Sequence, residues 1–251
     1  MNIALIRQSI LALTLASSAL MIAHSAALAS TTSSVGSPTV KKGETEIAVR
    51  TGYSIDDKDA SEDERFRSRA HMKYGFTDTY AVQIVVYQDK RQGDSYEHDG
   101  IKFENRFHLI KKADHGFDFG IRANYTLKDG DKKADSAELG LYVLVPYDAY
   151  EMRVNQLFSH DVGQESESGV GGETRLQVTR AVTDNTRLGI ESFHDYGNFR
   201  QSSEYSEQSH QIGPVLKGKF LDGYSYEAGY RAGISDGSPD HNFKIFLAKT
   251  F

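Results

Sequence analysis

The chain has no cysteine and no tryptophan, and only four prolines in 251 residues. Without cysteine, disulfides contribute nothing, so in an oxidising compartment stability must come from packing or from a closed hydrogen-bond network. A mean hydropathy of -0.50 excludes a helical membrane protein, and beyond the N-terminus no run reaches the ~18 apolar residues that a spanning helix needs. Convincing 3.6-residue periodicity is missing too. A formal charge of -6 argues against nucleic acid as a partner. What the chain does have is aromatic side chains, 14 Tyr and 13 Phe, together with 22 Gly, an unusual mixture for so polar a sequence.

Residues 1–29 differ from the rest. Arg7 supplies a positive start, the stretch 10–23 is almost wholly apolar, and Ala27-Leu28-Ala29 before Ser30 has the small-x-small form of a signal-peptidase site. That run of about fourteen residues is short for a ~30 Å hydrocarbon core, so residues 1–29 are expected to be an export signal cleaved after Ala29. Residues 30–42 then form a short periplasmic N-terminal segment, and 43–251 one domain.

The recurring pattern in that domain is period 2, which places successive side chains on opposite faces of a strand. In 65–76, Phe66, Ser68, Ala70, Met72, Tyr74 and Phe76 share one face and Arg65, Arg67, Arg69, His71 and Lys73 the other. Tyr80, Val82, Ile84 and Val86 follow after a tight turn; Ile101, Phe103, Phe107 and Leu109 alternate with Lys102, Glu104, Arg106 and His108. Phe117 to Tyr125 and Ala137 to Val143 continue the series, and further strands fit 44–53, 150–159, 173–182, 187–195, 211–220, 224–234 and 242–251. Alternation is poorest near Glu173 and Arg187. Short connections alternate with long polar ones, the first of which carries Asp56, Asp57, Asp59, Glu62, Asp63 and Glu64 against Lys58 alone.

A barrel accounts for all of this, because only one residue in two meets lipid while the other half stays polar. The expected fold is therefore all-β: a transmembrane antiparallel up-and-down β-barrel of about twelve strands, with ten or fourteen as alternatives, and both termini periplasmic. Aromatic residues near predicted strand ends, among them Tyr74, Phe76, Tyr80, Tyr150 and Tyr224, suit interfacial girdles.

The final segment, 243–251, resembles the closing strand of Gram-negative outer-membrane β-barrels, with Phe243, Ile245, Leu247 and Phe251 at alternate positions and the chain ending in Phe. Lys249 departs from the pattern, which more often has an aromatic there. The resemblance implies an outer-membrane location among lipid and lipopolysaccharide, and delivery to the barrel assembly machinery through the strand ending at Phe251. In strand number, size and basic interior the chain is also similar to the small twelve-stranded oligogalacturonate and sialic-acid porins, which are monomers that pass acidic sugars.

With the apolar set facing lipid, the lumen holds roughly fifteen Lys and Arg against about eight carboxylates. Arg65, Arg67, Arg69 and Lys73 form a ladder with steps of roughly 6.7 Å, twice the strand rise, and Arg can hold a carboxylate or phosphate bidentately. Lys102, Arg106, Arg122, Arg153, Arg175, Lys217, Lys219, Arg231 and Lys244 surround it. The expected function is a porin for small anionic solutes, lined by these cations, with inward glycines such as Gly52 and Gly120 leaving room.

Two other readings compete. A structural or surface-binding barrel would use the same Arg and Glu as a packed salt-bridge network. An outer-membrane hydrolase needs a Ser activated by His with an orienting polar group, and Ser192, His194 and Asp195 are the nearest candidates. Polar residues near a strand end are common, so catalysis is not the expected function. No cofactor is implied, and the dispersed histidines lack the spacing of a metal site.

Overall fold

The computed structural model describes residues 30–251 apart from 59, 130–132 and 202; the expected export signal lies outside the described residues. Twelve antiparallel strands follow one another around a closed barrel: β1 Thr45–Ile55, β2 Arg65–Gly75, β3 Tyr80–Lys90, β4 Glu97–Ile110, β5 Asp118–Lys128, β6 Asp135–Tyr147, β7 Tyr150–Val162, β8 Gly171–Thr183, β9 Thr186–Asn198, β10 Ser209–Leu221, β11 Tyr224–Gly233 and β12 His241–Thr250. Each strand pairs with its sequence neighbours, and β1 closes the barrel on β12 in a register that sets Ile47 opposite Lys249 and Tyr53 opposite Phe243. Closure leaves no free sheet edge, so every strand spends its backbone donors and acceptors within the wall, the condition for spanning hydrocarbon. One helical turn, α1 Lys112–His115, interrupts the β4–β5 connection and is capped by left-handed Gly116.

Side-chain direction follows the period-2 pattern, and the core is inverted relative to a soluble protein. In β12 Ile245 is 59% exposed whereas its neighbour Lys244 is 2% exposed, because the apolar face looks out and the charged face looks in. The same split appears in β2, with Met72 and Tyr74 outward and His71 and Lys73 buried. The lumen is not purely polar: Tyr142, Leu144, Leu157, Phe193, Val215 and Phe246 also point inward and are buried.

Connections 148–149, 184–185 and 222–223 are two-residue turns at one end, with Asp148 and Gly223 at positive φ. The opposite end carries long connections, including 56–64 and 199–208. Aromatic side chains mark the short-turn rim: Phe76 lies 4.9 Å from Tyr74 and 6.0 Å from Tyr80, which in turn lies 5.2 Å from Phe107. Both β1 and β12 meet this rim with their chain ends, where Phe251 and Thr45 exchange backbone hydrogen bonds.

Candidate functional site

The lumen is occupied by the protein's own N-terminal segment. Residues 30–42 run inward from the short-turn rim and place Thr31, Thr32, Ser33 and Val35 in nearly complete burial. The segment has no ladder of its own, so its peptide groups must find partners on the wall. They find mostly arginine. Arg69 donates to the Thr32 carbonyl, Arg122 to that of Ser37 at 2.7 Å, Arg153 to that of Val35 at 3.4 Å and Arg175 to that of Ser34 at 3.3 Å. Arg231 donates to the carbonyls of both Ser30 and Thr31 at 3.2 Å. These acceptors carry partial rather than full negative charge, so the guanidiniums are solvated without being neutralised.

Room for the segment comes from glycine. A side chain at Gly52 would meet Thr31 at 2.6 Å, and one at Gly120 would meet Pro38 at 2.9 Å. The inward glycines expected to leave room do so, and the room is filled by this chain.

The predicted anion ladder is divided among several partners. Arg65 binds Glu62 and Asp89, and Arg67 lies 2.9 Å from Glu62 and 3.7 Å from Asp89. Glu62, from the first long loop, turns inward and is buried rather than solvated with the other loop acids. Lys73, at the far end of the ladder, lies 3.3 Å from Glu44 and 3.2 Å from Glu46. Lys102 sits 3.9 Å from Glu138, Arg106 pairs with Glu104 and donates to Gln83 at 2.7 Å, and Lys244 lies 2.6 Å from Glu191 and 2.7 Å from Glu227. Arg153 and Arg175 also hold Glu151 and Glu173, at 2.8 and 2.6 Å. Arg122, Arg153, Arg175 and Arg231 thus meet around the segment, while Arg65 and Arg67 stand apart at the long-loop end.

Sequence reasoning passed over Arg50, Asn155 and Arg187. Arg50 donates to the Ser34 hydroxyl at 2.6 Å, and alternation within 44–53 already placed it opposite Val49 and Thr51. Arg187 lies in the strand with the poorest alternation.

Even with the segment in place, a cavity of about 1300 Å³ remains between it and the wall at the short-turn end. Ten Lys and Arg line it, among them Lys41, Arg50, Lys73, Arg106, Arg122 and Lys217, against five carboxylates. The Nε atoms of Arg69, Arg122 and Arg231, and Nη1 of Arg231, have no hydrogen-bond partner among the described residues. Phe193, fully buried against Val35, has the Arg231 guanidinium 4.2 Å and that of Arg175 5.7 Å from its ring centre.

No protein-family model and no curated protein matches the chain by sequence. Solved structures do match. The COG4313 outer membrane channel from Pseudomonas putida F1 aligns over 84% of this chain and 97% of its own, with a TM-score of 0.62 and 11% identity. The fold is that of the twelve-stranded outer-membrane porins. A KdgM porin aligns with a TM-score of 0.57 and 10% identity over 82% of this chain and 99% of its own. A NanC porin gives a TM-score of 0.57 and 9% identity over 81% and 98%. Identities this low carry the architecture and not the solute.

Proposed function

We propose that the chain is an outer-membrane channel for small anionic solutes, exported by cleavage after Ala29, with its termini in the periplasm and residues 30–42 narrowing its bore. The observation that carries this is the cationic lining of the remaining cavity, ten basic side chains against five acidic in a protein that is acidic overall. A lumen walled by low-dielectric barrel and lined by one sign of charge raises the local concentration of the opposite ion. Buried guanidinium donors without a protein partner, once uncovered by movement of the segment, are suited to carboxylate or phosphate oxygens, and acidic sugars present such oxygens at intervals. The shared architecture with porins supports a channel, and the outward apolar face supports a place in the outer membrane.

A passing solute must displace or slip beside the segment, whose carbonyls occupy the donors that a solute anion would use. Arg69, Arg122, Arg153, Arg175 and Arg231 are the residues assigned to that exchange, and Arg67 to the long-loop mouth. The buried ion pairs of Glu62, Glu104 and Glu191 favour a second reading, a non-conducting barrel braced by its own salt bridges. Planar-bilayer recording of the refolded chain separates the two. A channel gives discrete conductance steps with anion preference, weakened or reversed by Arg67→Glu with Arg69→Glu; silent bilayers with fully folded protein favour the braced barrel.

A further inference from the structure

The outer wall carries a second constellation, unconnected to the lumen. In β9 the alternation turns Glu191, Phe193 and Asp195 inward, whereas Ser192 and His194 lie on the outer face, with Ser192 itself only 8% exposed and His194 half-buried. Asp195 is therefore on the wrong side of the sheet to serve His194. Another residue takes its place: His210 of β10 lies directly across the ladder from His194, with their Nδ1 atoms 3.1 Å apart. His194 Nε2 lies 3.2 Å from Ser192 Oγ, and His210 Nε2 lies 3.2 Å from Gln208 Oε1.

The proton positions in this chain are fixed from one end. Gln208 Nε2 donates to the Ser203 carbonyl at 2.9 Å, which leaves Gln208 Oε1 as acceptor. His210 must then carry its proton on Nε2 and accept at Nδ1; His194 must carry its proton on Nδ1 and accept at Nε2; the Ser192 hydroxyl donates to it. Tyr205 stacks on His210 with ring centres 4.3 Å apart and 16° between planes, which holds the second imidazole in place. A nucleophile hydroxyl, a base in the accepting tautomer and a group orienting that base are the three parts of acyl-transfer catalysis.

The location names the substrate class. Leu188, Ile190, Leu176 and Ile212 are exposed apolar side chains beside and below Ser192, and Tyr196 continues the polar patch toward the long-loop rim. Ser192 thus stands where an apolar wall gives way to polar groups, the depth at which the ester carbonyls of a membrane lipid lie. The geometry points to a lipid acyl-ester hydrolase site on the outer wall, with Ser192 as nucleophile, His194 as general base and then acid, and His210 and Gln208 as positioning residues. Ser192 Oγ attacks the ester carbonyl carbon and its proton passes to His194 Nε2. The carbon–oxygen bond to the lipid alcohol breaks, and the alcohol leaves with that proton. Water, activated by His194, then cleaves the acyl-serine, releasing a fatty acid and restoring the hydroxyl. The backbone N–H groups of β9 are spent on the sheet, so the described residues offer no preformed oxyanion hole, and slow turnover is expected.

The test uses the refolded chain in vesicles of phosphatidylethanolamine and phosphatidylglycerol, with a long-chain fluorophosphonate as serine probe and fatty-acid release as the second readout. The wild type is expected to be labelled at Ser192 and to release fatty acid. Ser192→Ala abolishes both, and His194→Ala slows labelling about 10²-fold or more. His210→Phe keeps the ring stacked on Tyr205 but removes the acceptor and slows labelling, whereas His210→Asn, with an oxygen in the Nδ1 position, recovers part of it. The wild-type labelling rate needs no variant: it should rise with pH through the imidazole range, between about 5 and 8. Folded wild type that neither labels nor releases fatty acid overturns the assignment, as does labelling that survives Ser192→Ala or shows no dependence on pH in that range.

Discussion

Asn155 pairs with Gly36 as a neighbouring strand would, its side-chain carbonyl accepting the Gly36 N–H at 2.6 Å and its amide donating to the Gly36 carbonyl at 3.1 Å. The wall thereby treats the inner segment as an incomplete extra strand. Gly36 permits the approach, since a Cβ there would meet the Tyr142 ring at 2.9 Å. Asn155→Leu keeps the volume and removes both bonds. At ~1 kcal/mol net for each bond, the segment should leave the lumen about 30 times more often. In a chain without cysteine, Ser34→Cys is the only thiol, and its modification rate by an added reagent reads that exposure. The rate is expected to rise with Asn155→Leu; an unchanged rate contradicts the anchoring role.

Glu62 is the acceptor shared by Arg65 and Arg67. Removing its charge with Glu62→Gln leaves two guanidiniums less compensated at the long-loop mouth. Unfolding in urea is expected to require about 3 kcal/mol less, toward the low end for a broken buried pair. The reversal potential in a salt gradient should move further toward the anion limit. A shift toward cations would contradict the assignment of Arg65 and Arg67 to the conducting path.

Lys244 of β12, 2% exposed, joins Glu191 of β9 to Glu227 of β11 along the inner face of neighbouring strands. Lys244→Met strands two carboxylates, and a loss of about 3–5 kcal/mol is expected. Lys244→Met combined with Glu191→Gln should cost less than Lys244→Met alone. A double variant as unstable as the sum of the two singles would show that the pair does not act together.

Legibility in the sequence followed periodicity. β2, β4 and β5 are readable because apolar side chains on one face alternate with mostly charged or polar ones on the other, despite Ser68 and Asn105 on the apolar face, and that alternation fixes the face as well as the strand. It faltered in β8 and β9 for a reason the structure supplies: Thr174, Ser192 and His194 put polar groups on the outer face while Phe193 goes inward to meet Val35 and Arg231. The hydrolase candidate was named with Asp195 as third member; His210 could not be found, since the register of β9 against β10 is not written in either strand alone. The place of residues 30–42 inside the lumen is not legible in the sequence, for a similar reason. Residues 30–42 are mostly small and polar, without period, and what they offer the wall arginines is backbone carbonyls, which any sequence possesses. The signal is indirect: more Lys and Arg on the inward face than carboxylates to pair with them.

Selectivity should depend on salt. The cavity is open at the short-turn rim, so its charges are screened, and the Debye length falls from ~10 Å at 0.1 M to ~3 Å at 1 M. Anion preference measured at a fixed gradient ratio is expected to weaken across that range. Preference that holds constant would point to a dry constriction instead of a charged vestibule.

A cationic lumen is partly filled by the chain's own residues 30–39. The most direct measurement is the single-channel conductance and reversal potential, in a KCl gradient, of a chain lacking those residues beside the full chain. The barrel should still close, since every strand pair remains. A larger conductance with anion preference retained is the result expected. Equal conductance in the two chains, or preference for potassium over chloride, would contradict the account.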